Sequence, residues 1–301
     1  MLGYQNYDYD LGRLCKLRDW IPIENLDWEE LSGNPNAIHL LEQNMDKIDF
    51  MNLSYNPNAI HLLEKNMDKV GWVGLSQNPN AIHLIEQIMD ENNWYWLSQN
   101  PNAIHLLEQN MDKVCWFGLS QNPNAIHILE QNMDKIDWLY LSTNPKAIHL
   151  LEKNPEKINW NLLARNPNAI HLLKKNMDEI NWNLLSGNPN AIHLLEQNID
   201  KINWFWLSPN PNAVHLLEQN MDKIYDYALL SSNPNAIYIL QQNMDKIDWF
   251  YLSQNPFIFE YDYEAMRNRM KPIAEELIAN RFHPKNMDKF VSWGFEDFEL
   301  N

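Results

Sequence analysis

Histidines recur at one position of the chain every 22 residues, from His39 to His215. Imidazole is a common zinc ligand and titrates near neutral pH, so such a series could bind metal ions or relay protons. Carboxylates such as Glu42 and Asp46 recur in the same way and could act as general acids or bases. The nine members of this histidine column are His39, His61, His83, His105, His127, His149, His171, His193 and His215.

The spacing of the column argues against both kinds of chemistry. A metal ion needs ligands about 2 Å away, whereas equivalent atoms of stacked helical layers lie about 8 to 10 Å apart. We therefore predict no metal site, and expect each histidine to hydrogen-bond at the edge of the core to the glutamate three residues later, as His39 with Glu42. Many equivalent histidines could still respond together to pH.

The sequence shows no feature of a catalytic site. Carboxylates repeated in every unit suit surface and capping roles better than one acid/base pair. There is also no phosphate-binding loop, dinucleotide fingerprint, nucleophile elbow or Cys/His zinc spacing. We predict that the protein is not an enzyme, with no catalytic residues and no cofactor.

The histidines belong to a 22-residue unit that occurs eleven times and reads D/N-W-x-x-L-S-x-N-P-N-A-I-H-L-L-E-Q-N-M-D-K-I. The Asn-Pro pairs lie 22 residues apart, with one step of 23. They begin at Asn34, Asn56, Asn78, Asn100, Asn122, Asn144, Asn166, Asn188, Asn210, Asn233 and Asn255.

Each unit contains two helix starts. The asparagine before proline can cap a helix whose first residue is the proline. This helix should run for nine or ten residues, ~15 Å, and end at an asparagine with a left-handed backbone conformation, such as Asn44. A shorter helix should begin after an Asp or Asn that precedes tryptophan, such as Asp27, and end before the next Asn-Pro.

The apolar residues of both helices lie on one face. Ile38, Leu41 and Met45 recur at helical spacing in the longer helix, and Trp28 and Leu31 lie three residues apart in the shorter one. We therefore place the tryptophans in the core. The asparagines are explained by capping and by stacked hydrogen-bond ladders, with ligand recognition as the alternative.

Stacking of successive units would bury these faces, which predicts an all-α fold: an α-solenoid of short two-helix 22-residue repeats with distinct N- and C-terminal caps. Packed layers 8 to 10 Å apart would give a rod or superhelix roughly 100 Å long. The alternative is a leucine-rich or β-helical solenoid, disfavoured by the few β-branched residues. We predict an N-terminal cap over 1–26, the repeat solenoid over 27–256 and a C-terminal helical cap over 257–301. Within this last cap, residues 261–280 should be helical but interrupted by Pro272, and a further helix should begin at Pro284.

Composition limits the partners. The formal charge of −17 disfavours nucleic acids and anionic membranes, because binding to phosphate relies on lysine and arginine. Cys15 and Cys115 match neither a disulfide framework nor a metal site. Without a signal peptide or an apolar stretch of about eighteen residues, we expect an intracellular, soluble protein.

Comparison of the units within the chain shows where they vary. Variation is concentrated in the two residues after the tryptophan position and in the residue before Asn-Pro, whereas the scaffold positions are nearly constant. A variable face is commonly the binding face of repeat proteins, and aromatic residues are favoured anchors there. The alternative is that these residues pack between layers and drift among apolar types. The candidate binding residues are Tyr95, Trp96, Phe117, Tyr140, Phe205, Trp206, Phe250 and Tyr251.

The whole chain resembles a group of repeat proteins of Mimivirus-like giant DNA viruses. The resemblance rests on K-L-R-D-W-I-P-I at residues 16–23, the repeated N-P-N-A-I-H-L-L-E, and the closing I-F-E-Y-D-Y-E-A-M and E-E-L-I-A-N-R-F-H-P. It implies a viral protein in the cytoplasm of an infected host cell, an amoeba, with the virion as a second location. Departures from the motif are Lys146, Pro155, Tyr227 and Tyr238.

These observations predict a non-enzymatic scaffold that binds a host or viral protein through the variable face, such as one with a basic or extended segment. The alternative is a structural component of the virion or viral factory that acts through self-association. The sequence does not define the oligomeric state.

Overall fold

The computed structural model describes residues 15–87 and 94–281 and is an all-α solenoid, which confirms the predicted fold class. Each of the first ten units has a first helix before the Asn-Pro pair and a second helix after it, and a loop that is a short 3-10 helix in many units leads to the next unit. The eleventh unit has the first helix only.

The helices, in chain order, are α1 Trp28–Gly33, α2 Ile38–Glu42, α3 Phe50–Leu53, α4 Ile60–Glu64, α5 Trp72–Gln77, α6 Ile82–Ile85, α7 Trp94–Gln99, α8 Ile104–Gln109, α9 Trp116–Gln121, α10 Ile126–Gln131, α11 Trp138–Leu141, α12 Ile148–Lys153, α13 Trp160–Leu163, α14 Ile170–Lys175, α15 Trp182–Ser186, α16 Ile192–Glu196, α17 Trp204–Leu207, α18 Val214–Gln219, α19 Tyr227–Ser231, α20 Ile237–Gln242, α21 Trp249–Gln254 and α22 Tyr263–Arg281. The strands are β1 Cys15–Leu17 and β2 Phe259–Tyr261, and 3-10 helices cover Ile23–Asn25, Met45–Lys47, Pro155–Lys157, Met177–Glu179, Ile199–Lys201, Met221–Lys223, Met244–Lys246 and Pro256–Ile258.

The first helix starts as the sequence predicts. The Asp27 carboxylate accepts a hydrogen bond from the Glu30 amide, and the equivalent Asp or Asn caps the first helix in several later units. Each of these caps satisfies one of the amides that a helix leaves without a partner at its N-terminus.

The second helix is shorter than predicted and starts later. The Ala37 amide donates to the Asn34 carbonyl oxygen, so Asn-Pro-Asn-Ala forms a turn and the helix begins only at Ile38. It runs five or six residues in most units. The left-handed end at Asn44 is also wrong: its φ is −135°, and its side chain donates to the Leu40 carbonyl oxygen instead.

Leucines form the centre of the core. Leu31 and Leu41 have no exposed surface, and the same positions are buried around the solenoid. Met45 is 42% exposed, contrary to the prediction. The tryptophans lie at the edge of the core rather than inside it: Trp94 is buried, but most others are half-buried. A lysine of the same unit lies over the ring in several cases, with Lys47 Nζ 4.4 Å from the centroid of the Trp28 ring. The aliphatic stem and charge of the lysine both favour this position.

Buried asparagines link every unit to its neighbour. Asn56 donates from Nδ2 to the carbonyl oxygens of Ser32 and Asn34, at 3.1 and 2.8 Å, and accepts at Oδ1 from the Asn58 amide. This confirms the predicted ladder, which satisfies carbonyl groups that stacking removes from water. The same two bonds are donated by each residue of the asparagine ladder: Asn34, Asn56, Asn78, Asn100, Asn122, Asn144, Asn166, Asn188, Asn210, Asn233 and Asn255.

The ladder includes Asn34 because the solenoid closes on itself. Asn34 Nδ2 donates to the carbonyl oxygens of Ser253 and Asn255 in the eleventh unit, at 2.9 and 3.0 Å. The Asp27 amide donates to Ser253 Oγ at 2.8 Å, just as the equivalent amide and serine pair between neighbouring units. Helices α1 and α21 are also in contact. Eleven units therefore form a closed ring, and the predicted rod or superhelix is wrong.

A short clasp completes the eleventh unit. After Pro256 the chain forms β2 instead of a second helix, and β2 pairs antiparallel with β1 near the N-terminus. The Arg18 guanidinium donates to the Phe257 carbonyl oxygen and to Glu260, at 2.8 and 3.0 Å. The two end segments, predicted as caps at opposite ends of a rod, thus contact each other. Helix α22 then leaves the ring, with most of its side chains exposed. It runs from Tyr263 to Arg281 with Pro272 inside it, so the predicted interruption at this proline is wrong. The second C-terminal helix predicted from Pro284 lies outside the described residues.

The first helices lie on the inner circumference of the ring. A Cβ added to Gly118 would lie 2.8 Å from the Tyr95 carbonyl oxygen, so successive first helices pack almost backbone to backbone. Successive second helices are joined by long side chains, such as His61 and Glu42. In a two-layered ring the more closely spaced layer is the inner one. The first of the two variable positions therefore faces the central opening, whereas the second also packs against the preceding unit, as Gly118 does.

Candidate functional site

The variable positions lie on the face of the first helix opposite the core. Because each residue of a helix turns about 100°, the two residues after the tryptophan point away from the buried Leu31 and Ser32 of α1. The first of the two is half-buried or exposed in every unit that the structure describes. We call these positions in the eleven first helices the inner face.

Four of the eight candidate residues form one aromatic cluster across three successive units. The ring centroids of Tyr95 and Trp96 lie 4.5 Å apart, and those of Tyr95 and Phe117 lie 5.4 Å apart. Phe117 and Tyr140 approach to 3.8 Å. All four side chains are half-buried, because each packs against its neighbours along the ring.

The other four candidates form two separate edge-to-face pairs. Phe205 and Trp206 lie 5.5 Å apart in the ninth unit, and Phe250 and Tyr251 lie 5.4 Å apart in the eleventh. Trp206 is 40% exposed and Phe250 is 44% exposed, so each offers apolar surface to a partner. The eight candidates thus form three aromatic groups around the inner face.

Sequence reasoning missed three exposed apolar residues on the same face. Met51, Val73 and Leu139 occupy the first variable position of their units and are 61%, 40% and 42% exposed. Their position in the repeat is the signal that could have identified them, because it is the position that Phe250 occupies.

The inner face carries little charge in a strongly acidic protein. Among the paired variable positions Glu29 and Glu30 are the only Asp, Glu, Lys, Arg or His residues, although the chain carries a net charge of −17. Glu30 accepts a hydrogen bond from Gln254 across the ring closure at 2.7 Å, and burial raises the pKa of its carboxyl group. The acidic residues lie elsewhere, which leaves an apolar surface with amides such as Asn161 and Asn183.

The histidine column forms bonds between units rather than within them. His61 Nε2 donates to Glu42 of the preceding unit at 2.9 Å, so the predicted pairing of His39 with Glu42 is wrong. In the stacked units, the glutamate near the end of one second helix lies beside the histidine near the start of the next second helix. Seven such bridges join His61, His83, His105, His127, His149, His171 and His215 to Glu42, Glu64, Glu86, Glu108, Glu130, Glu152 and Glu196.

Two members of the column depart from this pattern for reasons visible in the sequence. Lys174 replaces the glutamate that would face His193, whose Nδ1 lies 3.7 Å from Glu196 of its own helix. His39 instead accepts a hydrogen bond from Gln43 at 2.9 Å, because the clasp replaces the second helix of the preceding unit. The hydrogen bond from His215 lowers the pKa of Glu196.

Residues 15–87 and 94–281 contain no group of three or more His, Cys, Asp or Glu side chains able to hold a metal ion. A cavity of about 960 Å³ opens to solvent beside the clasp, lined in part by Arg18, Asn58, Phe259 and Tyr263. Of the helices in the described part of the chain, none combines the length and the apolar character needed to span a bilayer.

With this geometry in view, comparisons with known proteins give no relative: no protein family model, curated protein or solved structure matches the chain.

Proposed function

We propose that the protein is a non-enzymatic scaffold that holds an extended segment of a host or viral protein against the inner face. The observation that carries this proposal is the concentration of sequence variation on a face that is also aromatic, partly exposed and almost uncharged. Residues needed only for the ring do not vary in this way, since the asparagine ladder is complete in all eleven units.

The size of the opening is compatible with such a partner. Eleven inner helices packed about 8 to 10 Å apart give a circle roughly 30 to 35 Å across. Subtracting helices about 10 to 12 Å in diameter leaves an opening of roughly 20 Å. An extended chain or a single helix fits this opening, whereas a folded domain does not.

The chemistry of the inner face favours an apolar segment. Exposed aromatic rings such as Trp206 and Phe250 are typical anchors in protein interfaces. Amide side chains such as Asn161 can bond the backbone of an extended partner. The scarcity of charge on this face makes an apolar extended segment a better partner than a basic one. The resemblance to giant-virus repeat proteins supports a location in the cytoplasm of the infected cell.

The test uses peptides of defined sequence. A library of displayed linear peptides is selected on the intact protein, and the enriched peptides are titrated by calorimetry against Trp206→Ala/Phe250→Ala. We expect binding at least about tenfold weaker, since loss of an aromatic anchor costs more than about 1.4 kcal/mol. The matched control is Tyr225→Ala/Tyr238→Ala, which removes two residues that are 76% and 64% exposed outside the inner face.

A photoreactive phenylalanine analogue gives an independent readout. Placed at position 206 it should cross-link the selected peptide, and placed at position 238 it should not. If no peptide is enriched, or if both double variants bind it equally, the inner face is not the binding site.

A second candidate function is structural self-association in a virion or viral factory. The observation that favours it is α22, which leaves the ring with Leu277 and Tyr263 64% and 72% exposed. Sedimentation of the purified protein distinguishes the two functions, because the scaffold acts as a single ring whereas the structural component assembles without another protein.

A further inference from the structure

A small cavity adjoins the inner face where the first unit has no side chain at one variable position. The residue before Asn-Pro is Gln254 in the eleventh unit, Gly33 in the first and Tyr55 in the second. Gly33 leaves a cavity of about 240 Å³ between the other two side chains, with Glu30 and Asn52 of the inner face as further lining residues. This volume is below that of a typical site for a small organic ligand and suits a single side chain.

The ring does not require the glycine at position 33. A Cβ added there would have the Asn52 carbonyl oxygen as its nearest neighbour, at 3.6 Å, which is an ordinary van der Waals contact. Four other units have glutamine at this position, namely Gln77, Gln99, Gln121 and Gln254. The cavity is therefore a local property of the first unit and not a condition of packing.

The polar groups that line the cavity present acceptor oxygens. Asn52 Nδ2 donates to the Glu29 carbonyl oxygen at 3.0 Å, and Gln254 Nε2 donates to Glu30 Oε2 at 2.7 Å. Asn52 Oδ1, Gln254 Oε1 and Glu30 Oε1 receive no hydrogen bond from the described residues. Because each of these oxygens can only accept, the ligand should be rich in hydrogen-bond donors.

Glu30 also has no cationic partner in the described part of the chain, where none of the lysines, arginines and histidines forms an ion pair with it. Burial and the charges of Asp27, Glu29 and Asp49 raise the pKa of the Glu30 carboxyl group, against the hydrogen bond from Gln254. A cation beside Glu30 would offset both effects, because an opposite charge stabilises a carboxylate that burial destabilises.

We propose that this cavity binds the guanidinium group of an arginine in the segment that the inner face holds. Guanidinium is planar and carries five donors and no acceptor, which matches the acceptor oxygens of Glu30, Asn52 and Gln254. Its flat face can stack on the Tyr55 ring, which is 44% exposed. A lysine ammonium is a point charge without such a face.

The source of the arginine rests on the proposed function, whereas the cavity does not. Glu29 and Glu30 are the only charged residues at the paired variable positions. The proposal therefore predicts one arginine in an otherwise apolar segment, and not a basic segment.

The first experiment uses the guanidinium group alone. N-acetylarginine methylamide is titrated into the full chain, and the ring signals of Tyr55, assigned with Tyr55→Phe, are followed by NMR. N-acetylcitrulline methylamide is the neutral probe of similar shape. We expect saturable shifts with the arginine probe and none with the citrulline probe.

Filling the cavity provides the matched variants. Gly33→Gln gives the first unit the side chain that four other units carry, and should abolish the shifts. Gly187→Gln makes the same change in the eighth unit, where Leu184 occupies the position of Glu30, and should leave the shifts unchanged.

The second experiment uses the peptides enriched by display on the intact protein. We expect one arginine at a fixed place in them, and binding at least about tenfold weaker when citrulline replaces it. Glu30→Gln should weaken the arginine peptide by a similar factor and leave the citrulline peptide unchanged. This variant should unfold at no lower temperature than wild type, so a misfolded ring would not account for the loss.

The two experiments separate a failure of this proposal from a failure of the proposed function. Absence of shifts with the arginine probe, or equal shifts with the citrulline probe, overturns the guanidinium site. Enriched peptides that have no arginine, that bind equally well with lysine in its place, or that bind Gly33→Gln as tightly as wild type also overturn it, although the inner face still binds them. If the probe binds as expected but no peptide is enriched, the site stands and the proposed function fails.

Discussion

Replacing Asn34 by alanine tests whether the first and eleventh units are joined. This residue is 1% exposed, and its amide donates to two carbonyl oxygens of the eleventh unit. Asn144 occupies the same position between two units in the middle of the chain and donates two equivalent bonds at 3.0 Å. Asn144→Ala is therefore a matched control whose neighbours are adjacent in sequence.

The two substitutions should cost about the same free energy of unfolding. Each removes two donated hydrogen bonds and one accepted from the amide two residues later. At about 1 kcal/mol for each bond, and more where a buried group is left without a partner, the loss is about 3 to 4 kcal/mol. In an open solenoid Asn34 would face water, and only the bond within its own turn, about 1 kcal/mol, would be lost.

The assay is urea unfolding followed by circular dichroism, with the free energy taken from the midpoint where the slope is unchanged. Equal losses for Asn34→Ala and Asn144→Ala agree with a closed ring. If Asn34→Ala lowers the free energy of unfolding by about 2 kcal/mol less than Asn144→Ala does, or by a still smaller amount, the ring is not closed.

Four further substitutions test particular contacts. Gly118→Ala should lower the free energy of unfolding by about 1 to 3 kcal/mol, because the added Cβ would lie 2.8 Å from the Tyr95 carbonyl oxygen of the preceding unit. Gly187→Ala should instead raise it by about 0.4 to 1 kcal/mol, because there the nearest atom, the Trp206 carbonyl oxygen, lies 3.5 Å from the added Cβ. Lys174→Glu gives His193 the carboxylate that other units provide, and should raise the free energy of unfolding by about 0.2 to 1 kcal/mol. Burial raises the pKa of the Glu30 carboxyl group in the folded protein above its value in the unfolded chain. The folded protein therefore loses stability as the pH rises from the unfolded pKa of Glu30 to its folded pKa. Glu30→Gln should therefore raise Tm at pH 7 and leave it unchanged in acid below the ordinary pKa of about 4.3; no change at pH 7 would contradict this.

Regular spacing made the local structure predictable. The cap at Asp27, the buried Leu31 and the stacking of Asn34 all follow from a unit repeated eleven times, since an asparagine buried in every unit needs a partner in the next. The position of Trp28 was harder to predict, because a lysine from a later loop covers part of its ring. The length of the second helix was also harder to predict. Residues Asn34 to Ala37 form a turn before it, and the hydrogen bond of this turn, from the Ala37 amide to the Asn34 carbonyl oxygen, resembles the first bond of a helix.

Closure could not be predicted from one unit. A ring of eleven requires about 33° of rotation for each unit, and a few degrees less would leave a spiral or rod. The rotation depends on how closely first helices pack, as at Gly118, and on the reach of pairs such as His61 and Glu42. The pairing of the segments that flank the eleven units, β1 with β2, likewise depends on the tertiary structure and has no signal in a single unit.

The candidate binding residues were partly predictable for a similar reason. Variation among the units located the inner face, but not the contacts that bring Tyr95, Phe117 and Tyr140 together, because those depend on the curvature. The partner of each histidine depends on the turn between units, which places Glu42 beside His61 rather than His39.

The most direct test of the closed ring is a distance between its first and last units. Spin labels at Glu29 and Phe250, in a background with Cys15 and Cys115 replaced by serine, occupy the same position of units one and eleven; labels at Leu139 and Asn161 in units six and seven are the control. The ring predicts the same dipolar broadening for both pairs, at the separation of adjacent units. Broadening in the control alone, with the first pair many tens of ångströms apart, would contradict it.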